Sequence, residues 1–410
     1  MSALPMSQPA NPQVVIVGAG PAGMMLAYQL VTNGVPVRVL ERHPDFEREF
    51  RGELLQRAAL GPLEKLGILP LLVERKIALP NIERRMFVGQ TRRIMVPGGK
   101  ELGSLVSQAG FLQTLHELCG RYPHYRMDFG TTALQTIREN DRVVALKTRQ
   151  EGTEGRVEGD LFVDCSGRGS GLRKDVGLES QTSQLPADVV WLRFDFSDAP
   201  EALPDSLDVH MFGKGVVAVF HPTTRSRLQV AYSAPGDLGS LRKDLPELRR
   251  RLLPTVPARL RPYLEKKLDE RTETQFLRVV VTRMERWHVP GLLFLGDAAH
   301  TMSPSGGQGL NLALRDSFVA ANHLLDALRA GQPIDARVFE KIEQERRPEA
   351  DALQAVQTRV HRMVMAPLLV EHLMFTVLGL VLRLSKKAAQ GPGVAAVEPR
   401  YGVPVSQLPA

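Results

Sequence analysis

Gly18-Ala19-Gly20-Pro21-Ala22-Gly23 follows the apolar run Val14–Val17 and opens a helical pattern (Met24, Leu26, Ala27, Leu30) that stops at Asn33-Gly34. The chemistry this spacing serves is the holding of a pyrophosphate. Gly18 makes the tight turn, Gly20 lets backbone approach phosphate, and Gly23 with Ala27 lets helix lie close on strand. The first helical N–H groups have no partner within the helix and are free for an anion. Glu41 closes the next apolar run, Val35–Leu40, 23 residues after Gly18. A carboxylate there accepts from ribose hydroxyls and repels a 2′-phosphate. Pro21, Ala22 and Arg42 belong to the same expected contact set. The unit binds an adenosine diphosphate moiety, and FAD and NAD fit it equally.

A second cluster stands far downstream. Gly291-Leu292-Leu293-Phe294-Leu295-Gly296-Asp297-Ala298-Ala299-His300 puts an acid at the end of a buried-looking strand. Pro304, Gly306-Gly307-Gln308-Gly309 and Leu310-Asn311 then lead into a long helix. Amides at such a helix start stabilise negative charge by position and dipole.

With the N-terminal fingerprint, these residues resemble the flavoprotein monooxygenases of the para-hydroxybenzoate hydroxylase type, in the same order over most of residues 10 to 330. The resemblance implies FAD, with Asp297 on a ribitol hydroxyl, Pro304 beside the isoalloxazine, and backbone at Gly307, Gly309, Leu310 and Asn311 against the pyrimidine ring. It implies NAD(P)H as a transient co-substrate, since no second nucleotide fingerprint exists. It also implies O2, a flavin C4a-hydroperoxide, and hydroxylation or epoxidation of a hydrophobic or aromatic small molecule. No catalytic side chain is singled out and no metal is expected. His210, His221, Arg193 and Tyr232 are possible contributors if the substrate is a phenol.

Two further stretches carry part of the pattern. In Leu161-Phe162-Val163-Asp164-Cys165-Ser166-Gly167-Arg168-Gly169-Ser170-Gly171-Leu172-Arg173, Ser166 stands where the family usually has Asp, while Gly167, Ser170 and Arg173 fit. Asp164 does not inherit that role. Arg51-Gly52-Glu53-Leu54-Leu55-Gln56 is similar to the segment that squalene epoxidases and related hydroxylases place near the flavin, which makes Arg51 and Gln108 candidate cofactor contacts. The competing functions are a flavin-dependent halogenase, disfavoured because only Trp191 and Trp287 are present and no Trp-x-Trp-x-Ile occurs, a prenyl-chain-saturating flavin reductase, and a non-catalytic FAD-binding module.

The elements that must position these residues read as an α/β protein: a Rossmann-type FAD-binding domain interrupted by a mostly antiparallel β-sheet substrate domain and followed by a C-terminal helical segment. The expected division is 10–75, 100–178 and 275–330 for FAD binding, 76–99 and 179–274 for the substrate sheet, and 331–410 for the helical region. A helical stretch is expected over Leu54–Leu72, and alternating runs such as Trp191–Phe196 point to a sheet with one polar face.

Hydrophobic residues make up 43% of the 410 and charged residues 24%, the balance of a globular protein and too polar for a multi-span membrane protein. The formal charge of +7 comes with arginines spread along the chain and only 6% aromatics, so nucleic acid is not the expected partner. Cys119 and Cys165 have no metal-ligand spacing and read as buried thiols. The N-terminus shows no basic-then-apolar leader pattern, which makes a reducing cytoplasm the expected compartment. Residues 366–382 are strongly apolar and precede Arg383 and Lys386-Lys387. Two readings compete for 366–387: a core helix over the active site, or a peripheral membrane contact.

Overall fold

Four consecutive buried residues, Val14–Val17, form a strand with parallel neighbours on both sides. Such a run needs cover on both faces, and β-branched side chains suit it. Val14 and Ile16 point into a core built with the helices Pro21–Thr32, Gln108–Cys119 and Gln308–Arg329, whereas Val15 and Val17 face a second core shared with Val143, Leu146 and Val157. The latter residues come from a three-stranded antiparallel sheet, Thr131–Glu139, Arg142–Gln150 and Thr153–Glu158, that the sequence reading did not anticipate. The computed structural model describes residues 13–47, 53–94, 102–184, 188–241, 243–367, 369–370, 373–377 and 397–409.

The central sheet has six strands in the order His288–Val289, Leu292–Phe294, Leu161–Asp164, Val14–Val17, Val37–Leu40, Tyr125–Asp128. All but the first run parallel, and Val17, Leu40, Asp164 and Phe294 lie in register or one strand apart. Three sequence motifs and Glu41 therefore emerge from one carboxyl edge, where open α/β sheets hold their ligands.

A nine-stranded sheet stands beside it, running from Glu273–Leu277 through Val189–Asp195, Arg227–Ser233, Val217–Pro222, Ser206–Met211, Ala78–Val88 and Leu102–Val106 to Leu54–Leu55, with Arg92–Ile94 paired to Ala78–Val88. One face packs under the helices of 238–267 through Leu192, Phe194, Phe220 and Val230. The other carries Leu207, Val209 and Val219 against Leu54.

The structure differs from the sequence reading in three further places. The expected helix over Leu54–Leu72 is a two-residue strand and two helices, Arg57–Lys65 and Ile68–Glu74, separated by Gly67 at φ 69°. Leu54–Leu55 and Leu102–Val106, grouped above with the FAD-binding segments, pair in the larger sheet. Strands this short carry too little alternation to declare their partner. The C-terminal region is helical over Ala336–Val364, but 397–409 runs back across the nucleotide-binding layer, where the Tyr28 hydroxyl donates to the Val403 carbonyl at 2.6 Å and Val405 N donates to the Leu66 carbonyl at 2.8 Å.

Candidate flavin site

At the first turn, Gly18 has φ 98° and a Cβ there would lie 2.6 Å from the Cys165 carbonyl oxygen. Gly23 is closed just as firmly, because a Cβ on it would overlap the Gly18 carbonyl oxygen. Gly20 differs: a Cβ would meet nothing within 4 Å. Protein packing explains the first two glycines, and the open space over the third is what a pyrophosphate requires. Gly20 caps Pro21–Thr32 without a side-chain hydrogen bond, which leaves the helix-start amides to a ligand. Pro21 fills the first helical position, where its missing N–H costs nothing.

Glu41 is 2% exposed, and its carboxylate accepts from Ala19 N at 2.7 Å and His43 N at 2.9 Å. It is thereby fixed beside the turn. Arg42 is exposed, with its Nε 3.2 Å from His43 Nε2.

At the other end, Gly296–Ala298 forms a single 3-10 turn that carries Asp297 out of the strand Leu292–Phe294. Arg173 donates to the Ala298 carbonyl at 3.0 Å, tying the middle motif to this turn. Asp164 is fully buried and accepts from Ser166 N at 2.8 Å and the Ser170 hydroxyl at 2.5 Å. It closes its own turn, and Ser166 is the residue left exposed.

Gly307, at φ 65°, caps Gln308–Arg329 without a side-chain hydrogen bond, a second helix start with free amides. A Cβ on Gly309 would meet nothing within 4 Å, and Leu310 packs partly into the core. The Asn311 side chain is a strut: it donates to the carbonyls of Leu54 at 2.9 Å and Gly307 at 2.8 Å and accepts from Gln56 N at 2.7 Å. Only its backbone remains for a cofactor. Gln56 completes the staple by donating to the Gly306 carbonyl at 2.7 Å. The segment at 54–56 is thus bound to the second glycine cluster, although Arg51 lies outside the described residues. Gln108 begins its helix and lines a cavity with Glu53.

Residues that the sequence did not single out hold the Pro304 loop. Gln357 accepts from Ser303 N at 3.1 Å and donates to the carbonyls of Ser303 at 2.9 Å and Ser305 at 2.8 Å. Behind Asp297, the buried Asp316 binds His300 Nε2 at 2.8 Å, Arg346 Nε at 2.8 Å and Gly296 N at 3.1 Å. Burial opposes the Asp316 charge, but His300 and Arg346 outweigh it and hold the carboxyl below its usual range. No local motif marks Gln357 or Arg346, since both sit on a charged helix beyond the glycine clusters.

The four residues named for a phenolic substrate divide between the faces of the nine-stranded sheet. His221 and Arg193 both pair with Gln229, in register with the face that bears Val219. Tyr232 belongs to the opposite core, and His210 stacks on Phe87 with ring centroids 4.5 Å apart. Burial pushes His221 down to about 4, so near neutral pH it is an uncharged imidazole, its Nδ1 2.9 Å from the Pro222 carbonyl. Cys119 and Cys165 are buried free thiols, both pushed upward by burial.

Two helix starts with free amides, one over an open glycine turn and one over a stapled glycine loop, fit the two ends of an extended FAD. Set against an apolar sheet face, they define an FAD-dependent oxidoreductase of the monooxygenase class. The chain belongs to the FAD binding domain family, whose sequence model matches residues 11–357. It is 28% identical to a 6-methylpretetramide 4-monooxygenase of Streptomyces rimosus over 88% of this chain and 86% of that protein. It is 26% identical to a 3-(3-hydroxy-phenyl)propionate/3-hydroxycinnamic acid hydroxylase of Escherichia coli over 83% of this chain, but spans 60% of that protein's length. The fold matches that of PqsL from P. aeruginosa, crystallised in complex with 2-aminobenzoylacetate, with a TM-score of 0.74, 20% identity, and coverage of 87% of this chain and 97% of the other.

Proposed function

We propose that the protein uses NAD(P)H and O2 to hydroxylate an aromatic small molecule held between the FAD cradle and the inner face of the nine-stranded sheet. The observation that carries this reading is the continuity of Gly307, Leu54 and the aliphatic patch Leu207, Val209 and Val219: a Cβ on Gly307 would lie 3.6 Å from Leu54 Cβ, and Leu54 packs in that patch. Bound FAD supplies hydride acceptance and oxygen activation. The chain's own residues hold and orient. The apolar patch keeps water from the reacting centre, and the amides from Gly307 onward face charge that develops on the cofactor. On the same face, the Trp191 indole N–H is buried with no acceptor among the described residues, a donor ready for a substrate oxygen. The relatives named for phenolic and polycyclic aromatic substrates support that class.

The deciding experiment follows NADPH and O2 consumption by the FAD-loaded chain across a panel of aromatic compounds, with mass detection of products. Stimulated, coupled consumption with a product heavier by one oxygen is expected. Turnover without O2 would point to a reductase, and no turnover to a binding module.

A second reading concerns the surface. Among the described residues, Leu369, Val370, Leu373 and Val377 are four of the five exposed large hydrophobic ones, while Phe375 is buried against Val88 and Met211. No helix among the described residues is long and apolar enough to cross a membrane. These exposed apolar side chains, followed in sequence by Arg383, Lys386 and Lys387, support peripheral contact with an anionic bilayer. Leu369→Ser with Leu373→Ser and Val377→Ser should abolish sedimentation with anionic liposomes and leave thermal stability unchanged; equal sedimentation of variant and parent refutes the contact.

A further inference from the structure

The inner end of the sheet holds a charged cavity that the cofactor cradle does not explain. Its volume is about 60 Å³, and Glu53, Gln108, Arg193, Arg225 and Arg227 line it together with Glu47. That is far below the ~300 Å³ at which whole organic ligands are held, so it suits one group of a larger molecule. Glu53 directly precedes Leu54, the first residue of the strand Leu54–Leu55 and the one that meets Gly307 in the flavin loop. Gln108, an expected FAD contact, belongs to the same cavity wall. The space therefore opens beside the cofactor at the seam between the two sheets.

The charges have an unusual balance. Arg193 and Arg227 approach the exposed Glu273 at 3.5 Å and 3.7 Å, whereas Arg225 has no ion-pair partner within 4 Å among the described residues. Glu53 is 7% exposed. Around it stand Arg193 on its strand, Arg225 and Arg227 at the turn 223–227, Glu47 from the preceding segment and the neutral Gln108 on its helix. Among the described residues, three guanidinium groups stand with the three carboxyls of Glu47, Glu53 and Glu273, so protonation of Glu53 adds one positive charge to the cluster.

We propose that this cavity is an anion site that seats a phosphate group of the visiting nicotinamide dinucleotide on Arg225, Arg193 and Arg227, with Glu53 taking up a proton as the anion enters. The dinucleotide as the source rests on the monooxygenase reading above; the anion site does not. A chain with one nucleotide fingerprint has no second fold to hold a transient dinucleotide, and cations beside the flavin meet that need. Burial pushes the Glu53 carboxyl up to about 7, against the opposing pull of Arg193 and Arg225, so the proton is gained or lost near neutral pH. Binding that takes up this proton is favoured below that pH and weakens as pH rises through it.

Calorimetric titration of the FAD-loaded full chain with inorganic pyrophosphate and with NADP+, at pH 6 and pH 8, tests the site. Relative to Glu53→Gln, the parent should lose affinity for both ligands between pH 6 and pH 8, by up to about tenfold for one linked proton over a unit of pH above neutrality, since the phosphate's own ionisation near pH ~6 acts on both chains alike. Arg225→Ala, at an exposed position, should weaken both about tenfold or more, on the scale of one charged hydrogen bond. Glu53→Gln should bind both ligands more tightly than the parent at pH 8. Pyrophosphate that binds Arg225→Ala as it binds the parent, or a pH response that is the same in Glu53→Gln as in the parent, overturns the site. If NADP+ ignores Arg225→Ala while an arylpropionate depends on it, the anion belongs to the substrate and the dinucleotide assignment falls. If pyrophosphate shows the expected dependence but no aromatic compound stimulates NADPH oxidation, the anion site stands and the monooxygenase reading fails.

Discussion

Gly20→Ala should fold as well as the parent chain and lose most of its FAD affinity, whereas Gly23→Ala should lose both. The two glycines lie three residues apart in one turn, yet the protein presses on only one of them. A methyl group at Gly23 overlaps the Gly18 carbonyl oxygen, and backbone cannot swing aside as a side chain can. Overpacking of this kind costs about 1–3 kcal/mol and displaces the turn that carries Gly18 and Ala19. Gly20 has φ −78°, a value any residue adopts, and open space around it. Alanine there is neutral for the fold or slightly stabilising, since the unfolded chain loses freedom. What it does occupy is the approach to the helix-start amides. Each charged hydrogen bond lost to phosphate is worth roughly 1.5–3 kcal/mol, or about ten- to a hundredfold in affinity. Thermal unfolding of the FAD-free variants and fluorescence titration with FAD separate the two effects. A Gly20→Ala chain that binds FAD like the parent would remove the pyrophosphate from this turn.

That contrast also marks where sequence reading works. Strand, glycine turn, helix and acid are contiguous, so residues 14 to 41 declared their geometry and the adenosine diphosphate moiety that suits it, but not FAD over NAD. The glycine loop after Pro304 was equally legible for the same reason. The supports of that loop were not. Gln357 reaches it from a helix whose own pattern is amphipathic and charged, from which Arg346 also reaches Asp316, and Gln56 reaches it from the residue that follows a two-residue strand. Long-range hydrogen bonds leave no local period. The hairpin sheet 131–158 escaped notice because its outer face is solvated and its inner face contributes only every second residue to a shared core. Glu53 lay inside a recognised stretch, but its meaning depends on Arg193 and Arg225, more than a hundred positions away.

The Asp316 cluster gives the largest expected loss of stability. Asp316 and Arg346 are 0% and 1% exposed, and they join the helix Gln308–Arg329 to Ala336–Val364. Glu349 binds both Arg346 and Arg315, so two carboxylates compensate two guanidinium groups, and His300 is hydrogen-bonded to Asp316 in the same layer. Asp316→Ala leaves one of those cations in excess and strips the Gly296 N–H of its acceptor. Breaking one member of a buried pair costs about 3–5 kcal/mol, more than the burial of a single polar group could return. Asp316→Asn keeps an oxygen for Gly296 and should recover part of the loss. Because FAD binds only the folded chain and masks destabilisation by mass action, unfolding is best measured on the FAD-free protein. Gly296 directly precedes Asp297, so the alanine variant should also release FAD more readily, and the asparagine variant less so. A loss under ~1 kcal/mol with FAD affinity intact would show that the turn bearing Asp297 is held by its strand and Arg173 alone.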